Sequence, residues 1–291
     1  MGERSKLAER EFGSLKAVTG LPKPTPFLKW AGGKGQLLGQ MKEYFPDDFG
    51  TYYEPFLGGG AVFFSLEPRK AVLTDLNPEL IKVFQIVRDV PNALMAALDR
   101  HFPHRKNSNY FYEVRSWNPA ELSTVERAAR TVFLNKTCYN GLYRVNAQGQ
   151  FNVPFGKYKN PTLYDRNNLL AASAALTGKI VDEGDYHDIC EYPAEGDFVY
   201  LDPPYQPLSA TASFTGYTKG AFDESNQKEL SATFRDLDRK GCKVMLSNSA
   251  TDFVRSLYEG YRLVKVTATR AINCKPGGRG AIDEFLIMNY G

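Results

Sequence analysis

The chain has 291 residues, 43% of them hydrophobic, and a formal net charge of +3. This length is enough for one large domain, or for one domain that carries a sizeable insertion. No apolar run approaches the ~20 residues of a membrane helix, and residues 1–16 are too polar for a secretory signal. These features argue against a membrane protein and predict a cytoplasmic one.

The cysteine and histidine content gives no sign of a metal site. The four cysteines are far apart, none belongs to a Cys-x-x-Cys pair, and the chain has three histidines. Zinc sites usually need such closely spaced ligands, so we expect no bound metal. Scattered cysteines in a chain of this length also fit a reducing compartment better than a disulfide framework.

The order of the predicted elements favours an α/β sheet. Short apolar runs alternate with helical patterns, as in proteins whose strands are connected by helices. Asn77 and Pro78 are suited to cap and begin a helix. A second helix is predicted between Asp223 and Lys240, with Gly241 as its stop. The predicted strands are Tyr52–Phe56, Ala71–Asp75, Lys179–Asp182, Phe198–Leu201, Lys243–Asn248, Leu263–Thr269 and Phe285–Tyr290.

The stretch from about residue 87 to 175 interrupts this alternation. Residues 100–170 contain eleven Lys and Arg and four Asp and Glu, which is a net charge of +7. Since the whole chain carries +3, the rest of it carries −4. A basic segment on a neutral-to-acidic body is typical of a phosphate-binding surface, although a solvated basic face explains it equally well. The Gly- and Asn-rich passage 140–158 predicts a hairpin within a mostly helical insertion.

A glycine-rich turn follows the first predicted strand, at residues 54–60 (EPFLGGG). Glycines at this position let the backbone approach a ligand closely at the carboxyl edge of a sheet. The spacing matches neither the dinucleotide fingerprint nor the phosphate loop, so a pyrophosphate ligand is not indicated. A tight strand-to-helix turn without a ligand explains these glycines nearly as well.

Two other positions are candidates for cofactor contacts. Asp75 ends the second predicted strand, where an acidic side chain can bind both ribose hydroxyls of an adenosine; its alternative role is to interact with the dipole of the next helix. Trp30 and Lys34 lie in the segment 26–34 (PFLKWAGGK). A Trp face can pack on a cofactor and a Lys can bind a carboxylate, although a single Trp is more often a core residue.

The strongest short signal is the tetrapeptide Asp202-Pro203-Pro204-Tyr205, which follows an apolar run. Open α/β sheets bind ligands at this end of their strands. The amino group of adenine is a poor nucleophile because its lone pair is delocalised into the ring. The Asp202 carboxylate and the Pro203 carbonyl can accept its two N–H protons, and Tyr205 offers a flat face for the base. A proline-rich turn is the alternative.

Together these motifs resemble the Dam-type DNA adenine-N6 methyltransferases, in the subgroup where the glycine motif precedes the recognition domain. The resemblance extends from about Pro26 to Tyr290 and rests on residues 27–34, 54–60, 139–159 and 202–211. It implies a Rossmann-like S-adenosylmethionine-dependent methyltransferase sheet with an inserted, mostly helical target-recognition domain that carries a β-hairpin. The catalytic domain would comprise residues 26–86 and 176–291, the recognition domain 87–175, and an N-terminal extension 1–25.

The resemblance also implies roles for individual residues. Asp202, Pro203, Pro204 and Tyr205 would form the catalytic motif. The S-adenosylmethionine site would be lined by Trp30, Lys34, Phe56, Gly58, Gly60, Asp75, Asp185, Tyr186 and Asp202. Lys29, Leu142, Arg144 and Pro154 would read bases. Tyr139 and Asn140 would wedge into the base stack, and the phosphates would be bound by Asn146, Asn152, Lys157, Tyr158 and Lys159.

The usual target of this family is GATC in double-stranded DNA, and the matching base readers predict it here. The mechanism implied is direct methyl transfer to a flipped adenine, for which a monomer suffices and no metal is needed. The rivals are an adenine methyltransferase of another DNA site or of RNA, and a DNA-binding relative without activity. An Asp at position 202 and the 139–159 hairpin favour adenine in DNA.

Overall fold

The computed structural model describes residues 20–205, 222–269 and 281–291. Within these ranges the chain forms a seven-stranded sheet of order β3-β2-β1-β4-β5-β7-β6. The first five strands are parallel, and β7 lies antiparallel between β5 and β6. The strands are β1 (Tyr52–Glu54), β2 (Ala71–Asp75), β3 (Ile180–Glu183), β4 (Phe198–Leu201), β5 (Lys243–Ser249), β6 (Arg262–Thr269) and β7 (Ala281–Met288).

Both faces of the sheet are buried, because successive side chains of a strand point to opposite sides. Leu73 and Tyr200 pack into the core on one face, whereas their neighbours Val72 and Val199 pack into the core on the other. This explains why the central strands read as continuous apolar runs rather than as alternating patterns. The predicted α/β class, with a Rossmann-like sheet and a mostly helical insertion, is confirmed.

The two helix limits that capping chemistry predicts are present. Asn77 accepts hydrogen bonds from the backbone N–H groups of Glu79 and Leu80, and Gly241 has a left-handed φ of 78° just after the second predicted helix. The helices are α1 (Leu38–Met41), α2 (Ala61–Leu66), α3 (Pro78–Asp89), α4 (Pro91–His101), α5 (Ser108–Ser116), α6 (Thr124–Thr137), α7 (Arg166–Leu176), α8 (Tyr186–Ile189), α9 (Glu224–Arg239) and α10 (Asp252–Leu257).

The insertion lies between β2 and β3 and has an apolar cluster of its own. Phe111, Phe133 and Leu134 are buried there with Phe151 and Leu163. The predicted hairpin is present as two isolated antiparallel bridges, Cys138 with Phe155 and Val145 with Phe151, rather than as a regular ladder. The placement of the domain limits at residues 86 and 176 stays a prediction.

Several predicted strand limits need correction. The first strand ends at Glu54 rather than at Phe56, since Pro55 has no N–H for the ladder and the chain then enters the glycine turn. The last strand begins at Ala281, not Phe285, because it pairs with β6 along its whole length. It also ends at Met288 rather than Tyr290. The third strand is shifted by one residue, to Ile180–Glu183, the fifth ends one residue later, at Ser249, and the sixth begins one residue earlier, at Arg262.

Some sequence predictions lie outside the described residues. These are the N-terminal segment 1–19 and residues 206–211, which carry the end of the fourth matching stretch. In the part of the chain that the structure describes, no helix is both long and apolar enough to cross a membrane.

Candidate active site at the carboxyl edge of the sheet

The parallel strands β1, β2 and β4 are neighbours, so the segments after them meet at one edge of the sheet. Tyr53 is in register with Val72 in β2 and with Val199 in β4. The glycine turn, Asp75 and the tetrapeptide at residues 202–205 therefore lie side by side, as expected from their positions in the sequence.

Asp202 forms an ion pair with Lys34, a residue almost 170 positions earlier in the chain. The Lys34 Nζ lies 2.7 Å from Asp202 Oδ1, and the lysine side chain is only 3% exposed. The same Nζ donates to the carbonyl of Gly32 at 2.8 Å. Burial raises the pKa of the Asp202 carboxyl to about 6, while the ammonium group of Lys34 opposes that rise. Asp202 is therefore ionised at neutral pH and held in one orientation.

Tyr205 is fixed by a residue that the sequence did not reveal. Its hydroxyl donates to Glu284 Oε2 at 2.6 Å, and Lys34 Nζ lies 4.8 Å from the centre of its ring. Glu284 belongs to β7, which reaches the site only because that strand is inserted beside β5. No local pattern around residue 284 indicates this contact.

Asp75 closes the glycine turn. Its two carboxylate oxygens accept hydrogen bonds from the backbone N–H groups of Gly58 and Asn77, both at 3.0 Å. Gly58 has a left-handed φ of 49°, and a Cβ at this position would lie 2.9 Å from the ring of Trp30. Burial raises the pKa of Asp75 to about 6, although both hydrogen bonds lower it. Only glycine allows Trp30 to pack this closely against the turn.

An aromatic cluster lies beside this turn. Phe56 stacks on Tyr186 with ring centres 5.2 Å apart, and Phe222 contacts both rings. Among the described residues the Tyr186 hydroxyl is buried and has no hydrogen-bond partner, which is unusual for a buried polar group. Asp185 instead caps α8 by accepting from the backbone N–H of His187 at 2.9 Å. Two residues after β3 are predicted to bind the cofactor. Tyr186 belongs to this aromatic cluster, whereas Asp185 caps a helix.

Glu54 is a second buried acid that sequence reasoning did not single out. It is 2% exposed and accepts a hydrogen bond from the Tyr52 hydroxyl at 2.9 Å. Burial, together with the nearby carboxylate of Asp202, raises its pKa to about 8, although the hydrogen bond from Tyr52 and the charge of Lys34 lower it. Glu54 is therefore mostly protonated at neutral pH, whereas Asp202 is ionised.

The raised pKa of Glu54 predicts a pH-dependent stability. Below the ordinary value of 4.5 its contribution is complete, and it is lost as the pH rises through about 8. Between pH 6 and 8 we expect the free energy of unfolding to fall more steeply than in Glu54→Gln, by up to about 1.4 kcal/mol per pH unit. Urea unfolding of both proteins checks this, and parallel pH dependences would contradict it.

Lys29 lies where the insertion meets the sheet domain. Its backbone N–H donates to Asn135 Oδ1 at 2.9 Å, and its carbonyl accepts from Asn135 Nδ2 at 2.7 Å. The same Asn135 amide donates to the carbonyl of Gly141 at 3.1 Å, and Lys29 Nζ lies 4.0 Å from the ring centre of Tyr158. Asn135 is 1% exposed and joins the Lys29 segment to the hairpin, a role that its sequence context did not indicate.

The predicted DNA-contacting residues of the hairpin lie on one short segment, but their side chains differ in availability. Tyr139 is 47% exposed, and Asn140 has a left-handed φ of 55°. Leu142 is partly buried against the apolar cluster of the insertion, so part of its surface serves packing. The exposed members of the set are Tyr139, Arg144, Pro154, Lys157 and Lys159.

Two asparagines of the hairpin make local contacts. Asn146 accepts from the backbone N–H groups of Gln148 and Gln150 and donates to the Gln150 side chain, and thereby closes the tip. Asn152 Oδ1 accepts from Arg144 Nε at 2.7 Å. Their predicted contacts with phosphates stay predictions, and the structure gives both residues a role in shaping the hairpin.

Trp30 lies between the hairpin and the glycine turn. Its ring stacks on Tyr143 of the hairpin with centres 5.5 Å apart, and it also packs against the turn at Gly58.

Among the residues that the structure describes, no three His, Cys, Asp or Glu side chains are close enough to hold a metal ion.

Comparison with known proteins identifies the family. The model of the D12 class N6 adenine-specific DNA methyltransferases matches residues 30–272. The chain belongs to this family. It is thus an adenine-N6 DNA methyltransferase, and the family and the fold together imply that it uses S-adenosylmethionine.

Relatives of this D12 class enzyme are similar over most of its length. The type II methyltransferase M.MjaIII of Methanocaldococcus jannaschii is 44% identical, over 91% of this chain and 99% of the relative. The type II methyltransferase M1.LlaDCHI of Lactococcus lactis subsp. cremoris is 42% identical, over 91% and 95%. The DNA adenine methylase of Escherichia coli K12 is 34% identical, over 92% and 96%.

Proposed function

We propose that this enzyme methylates N6 of the adenine in GATC, after rotating that adenine out of duplex DNA. The observation that carries the proposal is the junction at Lys29. There the segment that leads to Trp30 and Lys34 is bonded through Asn135 to the base of the hairpin. Lys29, which is proposed to read DNA, and Lys34, which pairs with the Asp202 carboxylate, thus lie on one short segment.

The residues at the sheet edge fit S-adenosylmethionine, which would supply an electrophilic methyl group. Asp75 offers carboxylate lone pairs beyond its two backbone bonds for ribose hydroxyls. The cluster of Phe56 and Tyr186 offers aromatic faces, and the unpartnered Tyr186 hydroxyl offers a polar atom. Lys34 supplies a buried cation near the tetrapeptide. Trp30, Gly58, Gly60 and Asp202 complete the proposed site, and Asp185 supports it as the cap of α8.

Asp202 and Pro203 would activate the amino group of the adenine. The ionised carboxylate accepts one N–H and the Pro203 carbonyl accepts the other, which draws the nitrogen toward tetrahedral geometry and exposes its lone pair. Pro203 and Pro204 restrict the backbone so that this carbonyl keeps its direction. Tyr205, fixed through Glu284, provides the face on which the flipped base stacks. No covalent bond to the enzyme is needed.

The hairpin would supply the sequence readout. Arg144 is the residue type that reads guanine through two hydrogen bonds, and apolar Leu142 and Pro154 suit a thymine methyl group. Lys29 would reach a second guanine. Tyr139 and Asn140 would fill the space that the adenine leaves, and phosphates would be contacted by Asn146, Asn152, Lys157, Tyr158 and Lys159. Since each strand of GATC can be methylated separately, a monomer would suffice.

Methyl transfer to short duplexes tests the proposal. Purified enzyme and S-adenosylmethionine with a labelled methyl group are incubated with a GATC duplex and with duplexes changed at one position. We expect kcat/KM to be highest for GATC. For one wrong base pair it should fall by a factor that corresponds to about 1–3 kcal/mol. Equal transfer to all duplexes, preference for another site, or transfer only to RNA would refute GATC. S-adenosylmethionine binding without transfer would indicate an inactive relative.

The ionisation of Asp202 predicts the pH dependence of transfer. Its pKa of about 6 means that kcat at saturating S-adenosylmethionine should be constant above about pH 7 and fall roughly tenfold per unit well below pH 6. Because Lys34 lowers this pKa, the acid limb should move to higher pH in Lys34→Met. A single-turnover pH profile of both proteins measures the shift, and an unchanged limb would contradict the role of the ion pair.

A further inference from the structure

The backbone of the catalytic tetrapeptide has few ways to be held in place. Pro203 and Pro204 have no N–H groups, so this segment cannot continue the hydrogen-bond ladder of β4. Its position must come from its side chains and its carbonyl groups. Asp202 and Tyr205 are held through their side chains by Lys34 and Glu284, which leaves the two prolines between them to be fixed by other contacts.

One carbonyl of this segment is bonded to a buried glutamine. Gln227 Nε2, on the first turns of α9, donates to the carbonyl of Pro204 at 2.9 Å. Gln227 Oε1 accepts from Asn248 Nδ2 at 2.8 Å. Both side chains are 0% exposed, so the Pro204 carbonyl is linked to β5 through two side chains that solvent does not reach.

The direction of these hydrogen bonds is fixed by the backbone. Asn248 Oδ1 accepts from the N–H of Ser249 at 2.8 Å, so the other end of its amide must be the donor toward Gln227. The Gln227 amide is oriented in turn, with its oxygen toward Asn248 and its NH₂ group toward Pro204. Only a side chain that accepts at one end and donates at the other satisfies both partners.

We propose that Gln227, oriented by Asn248, is a positioning residue for methyl transfer. It binds the Pro204 carbonyl and so fixes the peptide plane between Pro204 and Tyr205, and the ring of Pro204 restricts the rotation of the preceding plane relative to it. The neighbouring Pro203 carbonyl, proposed to accept from the adenine amino group, is thereby held in its direction. Small displacements of such groups are costly, since an error of about 1 Å can cost about 10²-fold in rate. The inference rests on the proposed function of the site.

Substitution of Gln227 by Met tests the role, since Met has a similar length but no amide. We expect single-turnover transfer to a GATC duplex to fall about 10-fold or more. The dissociation constants for S-adenosylmethionine and for DNA should stay within about 3-fold of the parent, as should the fluorescence of a 2-aminopurine placed at the target adenine. A role confined to stability would lower the melting temperature and leave the rate of folded enzyme unchanged.

Gln85→Met is a matched control. Gln85 lies on α3 and donates to the carbonyl of Val181 at 2.9 Å, so it also joins a helix to a backbone carbonyl, but at the far edge of the sheet. Its variant should transfer methyl groups at the parental rate. A rate for folded Gln227→Met within about twofold of the parent would overturn the proposal.

Gln227→Glu provides a second variant in case Gln227→Met does not fold. The introduced carboxyl still accepts from Asn248, but it donates to Pro204 only when protonated, and burial should raise its pKa. Its rate relative to the parent should therefore decrease as the pH rises from about 6.5 to 9, and a ratio near one throughout would overturn the role. If the parent itself methylated no adenine, the proposed function would be refuted. If only the predictions for the Gln227 variants were wrong, the proposed function would remain intact.

Discussion

Replacement of Asp202 by Ala is expected to lower methyl transfer at least about 10³-fold. The carboxylate is proposed to accept an N–H of the adenine, and the loss of one such preorganised group commonly costs 10²–10³-fold or more. It also leaves Lys34, which is 3% exposed, without its carboxylate partner. Single-turnover transfer at saturating S-adenosylmethionine measures the loss, while a DNA-binding titration should show that duplex binding is retained.

Asp197→Asn is the control for this substitution. Asp197 precedes the same strand at its opposite end, where its carboxylate accepts from the N–H groups of Thr51 and Ala194. Its variant should lose stability and keep the transfer rate of the folded enzyme. Substantial transfer by folded Asp202→Ala would contradict the catalytic role given to this carboxylate.

Replacement of Arg144 by Ala is expected to relax discrimination at one base pair by about 1–3 kcal/mol, or roughly 5- to 160-fold in relative kcat/KM. The guanidinium is exposed and oriented by Asn152, which accepts from its Nε at 2.7 Å. An Arg held in this way presents its fork in one direction and can make two hydrogen bonds to guanine. Competition between GATC and single-position variants of it measures the change.

Arg105→Ala distinguishes base reading from general attraction to DNA. Arg105 is partly exposed, lies in the same insertion, and donates to an asparagine, Asn160, at 3.1 Å. Removing its charge should weaken binding equally for all sequences and reduce the salt dependence, as expected of a phosphate contact. If Arg144→Ala behaved in this uniform way too, Arg144 would be a phosphate contact.

The sequence was sufficient for features whose cause is local. The strands were predictable from apolar runs, and the start of α3 from the Asn77-Pro78 pair, because burial and capping depend on residues near in sequence. The placement of Asp75 and Asp202 at one edge of the sheet was predictable from parallel topology, which brings the carboxyl ends of neighbouring strands to the same edge.

The sequence was insufficient where the cause is a long-range contact. Glu284 reaches Tyr205 only because β7 is inserted beside β5, and Gln227 reaches Pro204 only because α9 packs over that end of the sheet. Asn135 lies within an ordinary helical pattern, and its junction with Lys29 spans 106 positions. The contacts of such residues depend on the fold as a whole, and no spacing rule in the sequence identifies them.

The most direct test of the account is a map of methylated bases. DNA without adenine methylation is incubated with the purified enzyme and S-adenosylmethionine and then read base by base. N6-methyladenine is expected in GATC on both strands and nowhere else. Methyladenine at a different sequence would contradict the base-reading roles of Lys29, Leu142, Arg144 and Pro154, and the absence of any methylated base would contradict the proposed reaction itself.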